Sequence, residues 1–561
     1  MPQSRQEKDS LGVVEVPAGA MYGAQTARAV ENFPISGMRA SKFLIRAIGM
    51  VKRAAAEANG ELGAISEDRA RAIAAAAGEV IAGKWDDEFV VDVFQAGAGV
   101  SFHMNANEVV ANRANQILAR FKVQGSGFEA GARGEGTLQK GGPQGLKPPS
   151  SGERYGTHST SLRAGSEAVP LSKTEADSSP STTLGVRNDK SNDKCGGPSI
   201  AAASQPSLGM TASVDDVERS ALGKYEWVHP NDHVNFGQST NDVFPTAMRV
   251  GTLLALKELY PVLDALAESF AAKGQEFDGV LKAGRTHMQD AVPVRLGQEF
   301  AAYGIAIAKA KESIVRAAES LRELGLGGSA VGTGVNTVAG YRERAIAKLA
   351  ELSGEKLMPA SDMRWAMQSC APMAEVSGAL RGLALEVIRI SNDLRLLSSG
   401  PNTGLNEIAL PSLQPGSSIM PGKINPVLAE LAAMVSFQVV GNDVAVAMAV
   451  QAGQLELNVM MPAMSYAVLQ SVTIMTNMLR ELDERCVRGI TANEARCAFY
   501  AQSTVALATA LNPYIGYAKA AEIVKESIAT GRSVIEIARE KKLLSEEQIA
   551  EILDARRMTG A

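Results

Sequence analysis

Residues 376–397 read VSGALRGLALEVIRISNDLRLL, and their spacing decides the fold. Val376, Leu380, Leu383, Val387, Ile390, Leu394 and Leu397 recur at alternating steps of four and three. That spacing is the seam of a helix packed nearly parallel or antiparallel to its neighbours. Two further stripes repeat it: Leu256, Leu259, Leu263, Leu266 and Phe270, then Ile307, Ile314, Ala318 and Leu321. Long helices with such seams build a bundle. Pro261 lies inside one stripe and predicts a kink. Aromatics are only 5% of the chain and alanine is plentiful, which suits close helix packing. Near the C-terminus, Ser533 with Glu536 and Ser545 with Gln548 have capping-box spacing. The expected fold class is therefore mostly all-α, with a central long-helix bundle.

At 561 residues the chain can bury a large core and hold more than one domain. Its formal charge of −5 gives no basic field, so no nucleic-acid partner is expected. The four cysteines, Cys195, Cys370, Cys486 and Cys497, show no C-x-x-C spacing, so neither a zinc site nor a redox pair is indicated. Free thiols and the absence of an apolar stretch in MPQSRQEKDS predict a cytoplasmic protein. Met434–Gly453 is the most membrane-like stretch. It contains Asn442 and Asp443, so it reads as a buried core helix, with no membrane partner. Residues 124–223 are rich in Gly, Ser, Pro, Thr and Lys, and Phe128 and Tyr155 are their only aromatics. Such a run buries too little apolar surface to offset its ordering entropy, and it reads as a mostly disordered insertion. Gly325–Ala330 matches G-x-G-x-x-A but follows a helical pattern, which argues against a dinucleotide site.

Residues 416–426, Gly-Ser-Ser-Ile-Met-Pro-Gly-Lys-Ile-Asn-Pro, fit neither a packed helix nor a strand. Gly416 and Gly422 free the backbone and Pro421 and Pro426 restrict it, so the segment reads as a functional loop. It carries hydroxyls (Ser417, Ser418), a fixed cation (Lys423) and an amide (Asn425). A cation beside an amide is a natural grip for a carboxylate.

This loop resembles the G-S-S-x-M-P-x-K-x-N signature of the fumarase/aspartase superfamily. Two more blocks resemble the same superfamily in the same order: HPNDHVNFGQSTNDVFPT at 229–246 and GRTHMQDAVPVRLGQEF at 284–300. Outside the insertion, the similarity runs from about Glu7 to near Met558. The resemblance implies three domains: 1–241, interrupted by 124–223, then 242–493 and 494–561. It also implies a homotetramer whose active sites combine residues from three subunits, acting on a small dicarboxylate. It implies Ser417 as general base, with His287 and the nearby acid Glu430 as further catalytic residues. Lys423 and Asn425 match the carboxylate-binding pair. Ser239, Thr240, Asn241 and Thr286 match substrate-binding positions, and Arg28 matches an arginine of aspartases. The resemblance implies no required cofactor and no metal site, and it admits a divalent cation as an activator. Removing a proton beside a carboxylate builds a dianionic enediolate, which needs prepositioned cations and donors. The residue types present supply them.

The loop alone does not separate aspartases from fumarases. Three blocks resemble the aspartase side: GKWDDEFVVD at 83–92, QAGAG at 95–99 and GQLELNVM at 453–460. They favour a carbon–nitrogen lyase interconverting L-aspartate with fumarate and ammonia. The alternatives are a class II fumarate hydratase and a non-catalytic relative. Val100, Asn402 and Phe236 depart from the usual threonine, arginine and lysine of the superfamily. They bear on how the non-carboxylate end of the substrate is recognised.

Overall fold

The structure, a computed structural model, describes residues 3–123 and 214–560. The chain enters through a hairpin, β1 (Ser4–Asp9) and β2 (Gly12–Pro17), followed by α1 (Ala24–Asn32), α2 (Lys42–Glu61), α3 (Glu67–Ile81) and α4 (Val100–Val123). Gly99, at φ 81°, lets α4 start against α6, because a Cβ there would lie 2.1 Å from the Phe244 ring. The buried carboxylate of Glu108 on α4 holds the start of α1. It accepts the N–H groups of Gly23 (2.8 Å), Gln25 (2.9 Å) and Thr26 (3.1 Å), an anion at a helix N-terminus.

After the break, α5 (Val214–Ala221) packs beside α4. Buried asparagines of α4 fasten this return. Asn112 Oδ1 accepts the Gly223 N–H at 2.8 Å, and Asn115 Oδ1 accepts those of Trp227 (3.0 Å) and Val228 (3.2 Å). This corrects the C-terminal end of the expected disordered run, because residues 214–223 are folded and bury Ala221 and Leu222. The rest of that expectation lies outside the described residues. Replacing 124–213 by a short flexible linker should therefore leave cooperative thermal unfolding intact, since loop length costs little. Extending the deletion through 223 should lower the melting temperature, because it takes the Gly223 N–H from the buried Asn112 Oδ1 and removes the buried Ala221 and Leu222. Equal melting curves for the two deletions would count against this.

The central elements are α6 (Thr240–Glu276), the hairpin β3 (Leu281–Thr286) and β4 (Gln289–Arg295), α7 (Leu296–Ala318), α8 (Tyr341–Ser353), α9 (Met363–Gln368), α10 (Ala371–Leu397), α11 (Val427–Gln451) and α12 (Met461–Arg485). Helix α6 packs on α7 and α12, α10 on α7 and α11, and α11 on α12. Every residue of the three stripes is buried. Helix α6 is one element of 37 residues running through Pro245 and Pro261. One apolar core extends from Met21 to Cys497 and crosses residue 241, which lies in the first turn of α6. A separate core that includes Leu507, Leu511, Ile523, Ile537 and Ile549 gathers α14 (Asn512–Ile515), α15 (Tyr517–Thr530), α16 (Val534–Glu540) and α17 (Glu546–Ile552), beyond α13 (Glu494–Ser503). Both expected capping boxes are present.

Helix α11 differs from the expected buried core helix. By length and composition it is the one described helix able to cross a membrane. Its Ala432, Val439, Asn442 and Val446 are buried, yet Met434, Phe437, Val444 and Met448 are each more than half exposed. Periodic apolarity on all sides does not say which side this chain covers. The polar residues are used locally: the Asn442 amide donates to Gln470 Oε1 (2.9 Å) and Ser471 Oγ (3.0 Å), and Asp443 pairs with Arg381 at 3.2 Å.

Candidate active site

The 416–426 loop folds on itself. The Gly416 N–H donates to the Lys423 carbonyl at 2.8 Å, and Asn425 Nδ2 donates to the Gly416 carbonyl at 2.9 Å. Only glycine fits at 416, where a Cβ would lie 2.6 Å from the Lys423 carbonyl oxygen. Inside this fold Ser417 Oγ accepts two backbone N–H groups, from Ile419 (3.2 Å) and Met420 (3.0 Å). Paired amides of this kind stabilise negative charge on the oxygen, as an alkoxide base requires. Ser418 is exposed, and its hydroxyl has no hydrogen bond among the described residues. Lys423 is exposed and makes no ion pair among them. Beside the loop lies a cleft of roughly 550 Å³, lined by Lys423, Asn425, Gly400, Asn406 and Ser412 among others. Glu430 stands in the first turn of α11.

Thr286 and His287 sit at the exposed tip of the β3–β4 hairpin. Thr286 pairs with Gln289, so His287 and Met288 form a two-residue turn, at φ 51° and 61°. Two left-handed residues make a type I′ turn, which favours Asn-Gly. A histidine and a methionine there hold strain of about 1 kcal/mol each. Strand β3 is anchored below. Glu407 is fully buried and pairs with Lys282 (2.9 Å) and Arg285 (2.8 Å), and Arg285 lies over the Tyr500 ring at 5.0 Å.

At the third block, Ser239 caps α6 by accepting the Asn241 N–H. Asn241 Nδ2 donates to the Ala330 carbonyl at 2.8 Å. Asp242 is fully buried. It accepts the N–H groups of Ser239 (2.9 Å), Gly327 (2.9 Å) and Ser329 (3.1 Å). Burial pushes its carboxyl up to about 6, and those three N–H groups act against the rise. The glycine-rich 325–330 segment thus spends its amides on a carboxylate of its own chain. Thr240 Oγ1 lies 2.6 Å from His103 Nδ1.

Arg28 is committed elsewhere. Its guanidinium grips Asp9 of the first hairpin at 2.6 and 3.1 Å, so within one chain it is not free for a substrate. Among the described residues, no hydrogen bond or ion pair joins the 239–241, 286–287 and 417–425 blocks. No cluster of three or more His, Cys, Asp or Glu side chains among them is placed to hold a metal ion.

Residues 12–126 and 201–441 match a family described as lyase, and 507–560 match the fumarase C C-terminus. The aspartate ammonia-lyase of Pseudomonas aeruginosa is 40% identical, over 98% of this chain and 96% of that protein. The chain belongs to the fumarase/aspartase superfamily. A class II fumarate hydratase of Halobacterium salinarum is 42% identical to this superfamily member, over 99% of this chain and 97% of that one. The fumarate lyase:delta crystallin of Brucella melitensis, in a structure bound to cobalt, aligns with a TM-score of 0.79 at 38% identity and covers all of both chains. The class II fumarase of Schistosoma mansoni aligns at 0.77 with 31% identity, over 99% of both chains. The protein is accordingly a lyase with a mostly helical fold.

Three features of this lyase's site escape the sequence reading. These are the left-handed turn at His287, the Glu407 anchor and, behind Thr240, the contact of Lys52 Nζ with His103 Nε2 at 2.6 Å. Only the last leaves a trace in the sequence: Lys52 interrupts the alanine-rich buried face of α2.

Proposed function

We propose that this lyase eliminates ammonia from L-aspartate, reversibly, to give fumarate. Ser417 takes the proton from the carbon beside the carboxylate that becomes the enediolate. The Ile419 and Met420 N–H groups stabilise its alkoxide, and Lys423 holds that carboxylate. The electron pair left on carbon then forms the double bond as the carbon–nitrogen bond breaks and the amine leaves. Closure of the 416–426 loop excludes water meanwhile. The observation that carries this reading is the pair of amides on Ser417 Oγ, in the same loop as Lys423, which makes no ion pair among the described residues. Aspartate over malate is favoured by the blocks at 95–99 and 453–460, which meet where the Ala98 N–H donates to the Val459 carbonyl at 2.7 Å. In this reading the complete site forms between subunits of a homotetramer. That agrees with the exposed apolar side of α11 and with three blocks that no hydrogen bond or ion pair joins among the described residues. No cofactor is required, and a divalent cation serves at most as an activator.

A fumarate hydratase is the second reading, favoured by the 42% identity to the Halobacterium salinarum class II fumarate hydratase. Incubating the purified protein with L-aspartate, and separately with L-malate, decides between them. We expect fumarate and ammonia from aspartate, made by a preparation that sediments as a tetramer. Fumarate from malate alone would favour the hydratase, and no product from either would leave a non-catalytic relative.

A further inference from the structure

We propose that His103 is a positioning residue that turns the Thr240 hydroxyl outward as a hydrogen-bond donor to the substrate carboxylate, with Lys52 fixing the tautomer of its ring. The inference rests on the dicarboxylate reading above and deepens it. Lys52 on α2 is fully buried and His103 on α4 is 1% exposed. Lys52 Nζ lies 2.6 Å from His103 Nε2, 3.1 Å from Asn235 Oδ1 and 2.9 Å from Gln238 Oε1. The two amides are oriented by their own bonds. Asn235 Nδ2 donates to the Gln238 carbonyl (3.2 Å) and Gln238 Nε2 to the Val234 carbonyl (3.0 Å), so their oxygens face the lysine.

Three acceptors around one nitrogen match the three N–H bonds of an ammonium. Burial acts against that charge and lowers the Lys52 pKa well below the lysine range, while the Asp242 carboxylate favours the charge. Burial, and then the Lys52 charge, hold the His103 ring neutral. With Nε2 accepting from Lys52, the single ring proton is on Nδ1 and is given to Thr240 Oγ1 at 2.6 Å. A hydroxyl that accepts on the inside keeps its own proton for the outside. Thr240 is half-buried at the N-terminus of α6, whose dipole also favours an anion. Val100 lies one turn before His103 on the same face of α4 and is 40% exposed. Val100 has no hydroxyl and cannot take this donor role from Thr240.

Two substitutions isosteric with each other test the direction of the bond. His103→Asn can still donate to Thr240, with its amide oxygen toward Lys52. His103→Asp can only accept and turns the threonine proton inward. The dissociation constant of fumarate by calorimetry and the KM for L-aspartate are the readouts, with thermal unfolding as the folding control. We expect His103→Asp to weaken fumarate about tenfold and His103→Asn to recover most of that loss. Thr240→Ala should weaken fumarate about as much, and adding His103→Asp to it should cost less than about twofold more. Should His103→Asp not fold, His103→Leu with Lys52→Met removes both buried partners and is read in the same cycle. Equal losses for His103→Asn and His103→Asp, or factors that multiply in the Thr240→Ala background, would overturn the inference. A wild type that binds fumarate but makes none from aspartate or malate would instead sink the functional reading and leave this cycle readable.

Discussion

Ser417→Ala is expected to lower turnover by about a thousandfold or more while fumarate still binds. The hydroxyl's task is confined to the transition state, so its loss should appear in kcat and leave binding nearly intact. The Ile419 and Met420 N–H groups that converge on Ser417 Oγ single it out from its neighbour Ser418, which is exposed and whose hydroxyl has no hydrogen bond among the described residues. Lys423→Ala should weaken binding as well as turnover, since a carboxylate cation is lost in both states. His287→Ala should fall between the two. Steady-state kinetics with L-aspartate and calorimetry with fumarate separate these patterns. Near-normal turnover by Ser417→Ala, with Ser418 untouched, would show that another group is the base.

Glu407→Ala should cost about 3–5 kcal/mol of stability, the range found when one partner of a buried ion pair is removed. Glu407 is fully buried between Lys282 at 2.9 Å and Arg285 at 2.8 Å. Lys282 keeps Glu299, also at 2.9 Å, but among the described residues Arg285 is left with the Tyr500 ring and the Ala283 carbonyl. Because Arg285 immediately precedes Thr286 and His287, activity should fall even at temperatures where the variant is folded. Glu407→Gln, which retains one acceptor, should lose less of both. Urea unfolding and kinetics on the three proteins check this. An unchanged urea midpoint for Glu407→Ala would mean that this network does not hold the hairpin.

The helices were legible because their signal is local. Val376 to Leu397 repeats its spacing over six steps, and every residue of that stripe is buried. The loop was legible because Gly416, Pro421, Gly422 and Pro426 exclude regular structure whatever surrounds them. What escaped depends on partners distant in sequence. Lys52 and His103 are 51 residues apart, and nothing in either segment announces their contact. Arg28 has the sequence context of a ligand residue, yet the first hairpin brings Asp9 to it. The short helix α5 was hidden by its polar neighbours, because composition averaged over a hundred residues hides eight that fold. For α11, hydropathy gives the amount of apolar surface and not the side that is covered.

The turn at His287 and Met288 sets two demands on the same residues. A tip built from Asn-Gly would relax into its preferred backbone and tolerate heat better, but it would carry no imidazole. The chain keeps the less comfortable pair, held from beneath by Glu407 and Arg285. Under the catalytic role proposed for His287, selection for durability and selection for rate pull in opposite directions at this hairpin. Sequence drift under relaxed demand for activity should show first at these two positions, as a sturdier and slower protein.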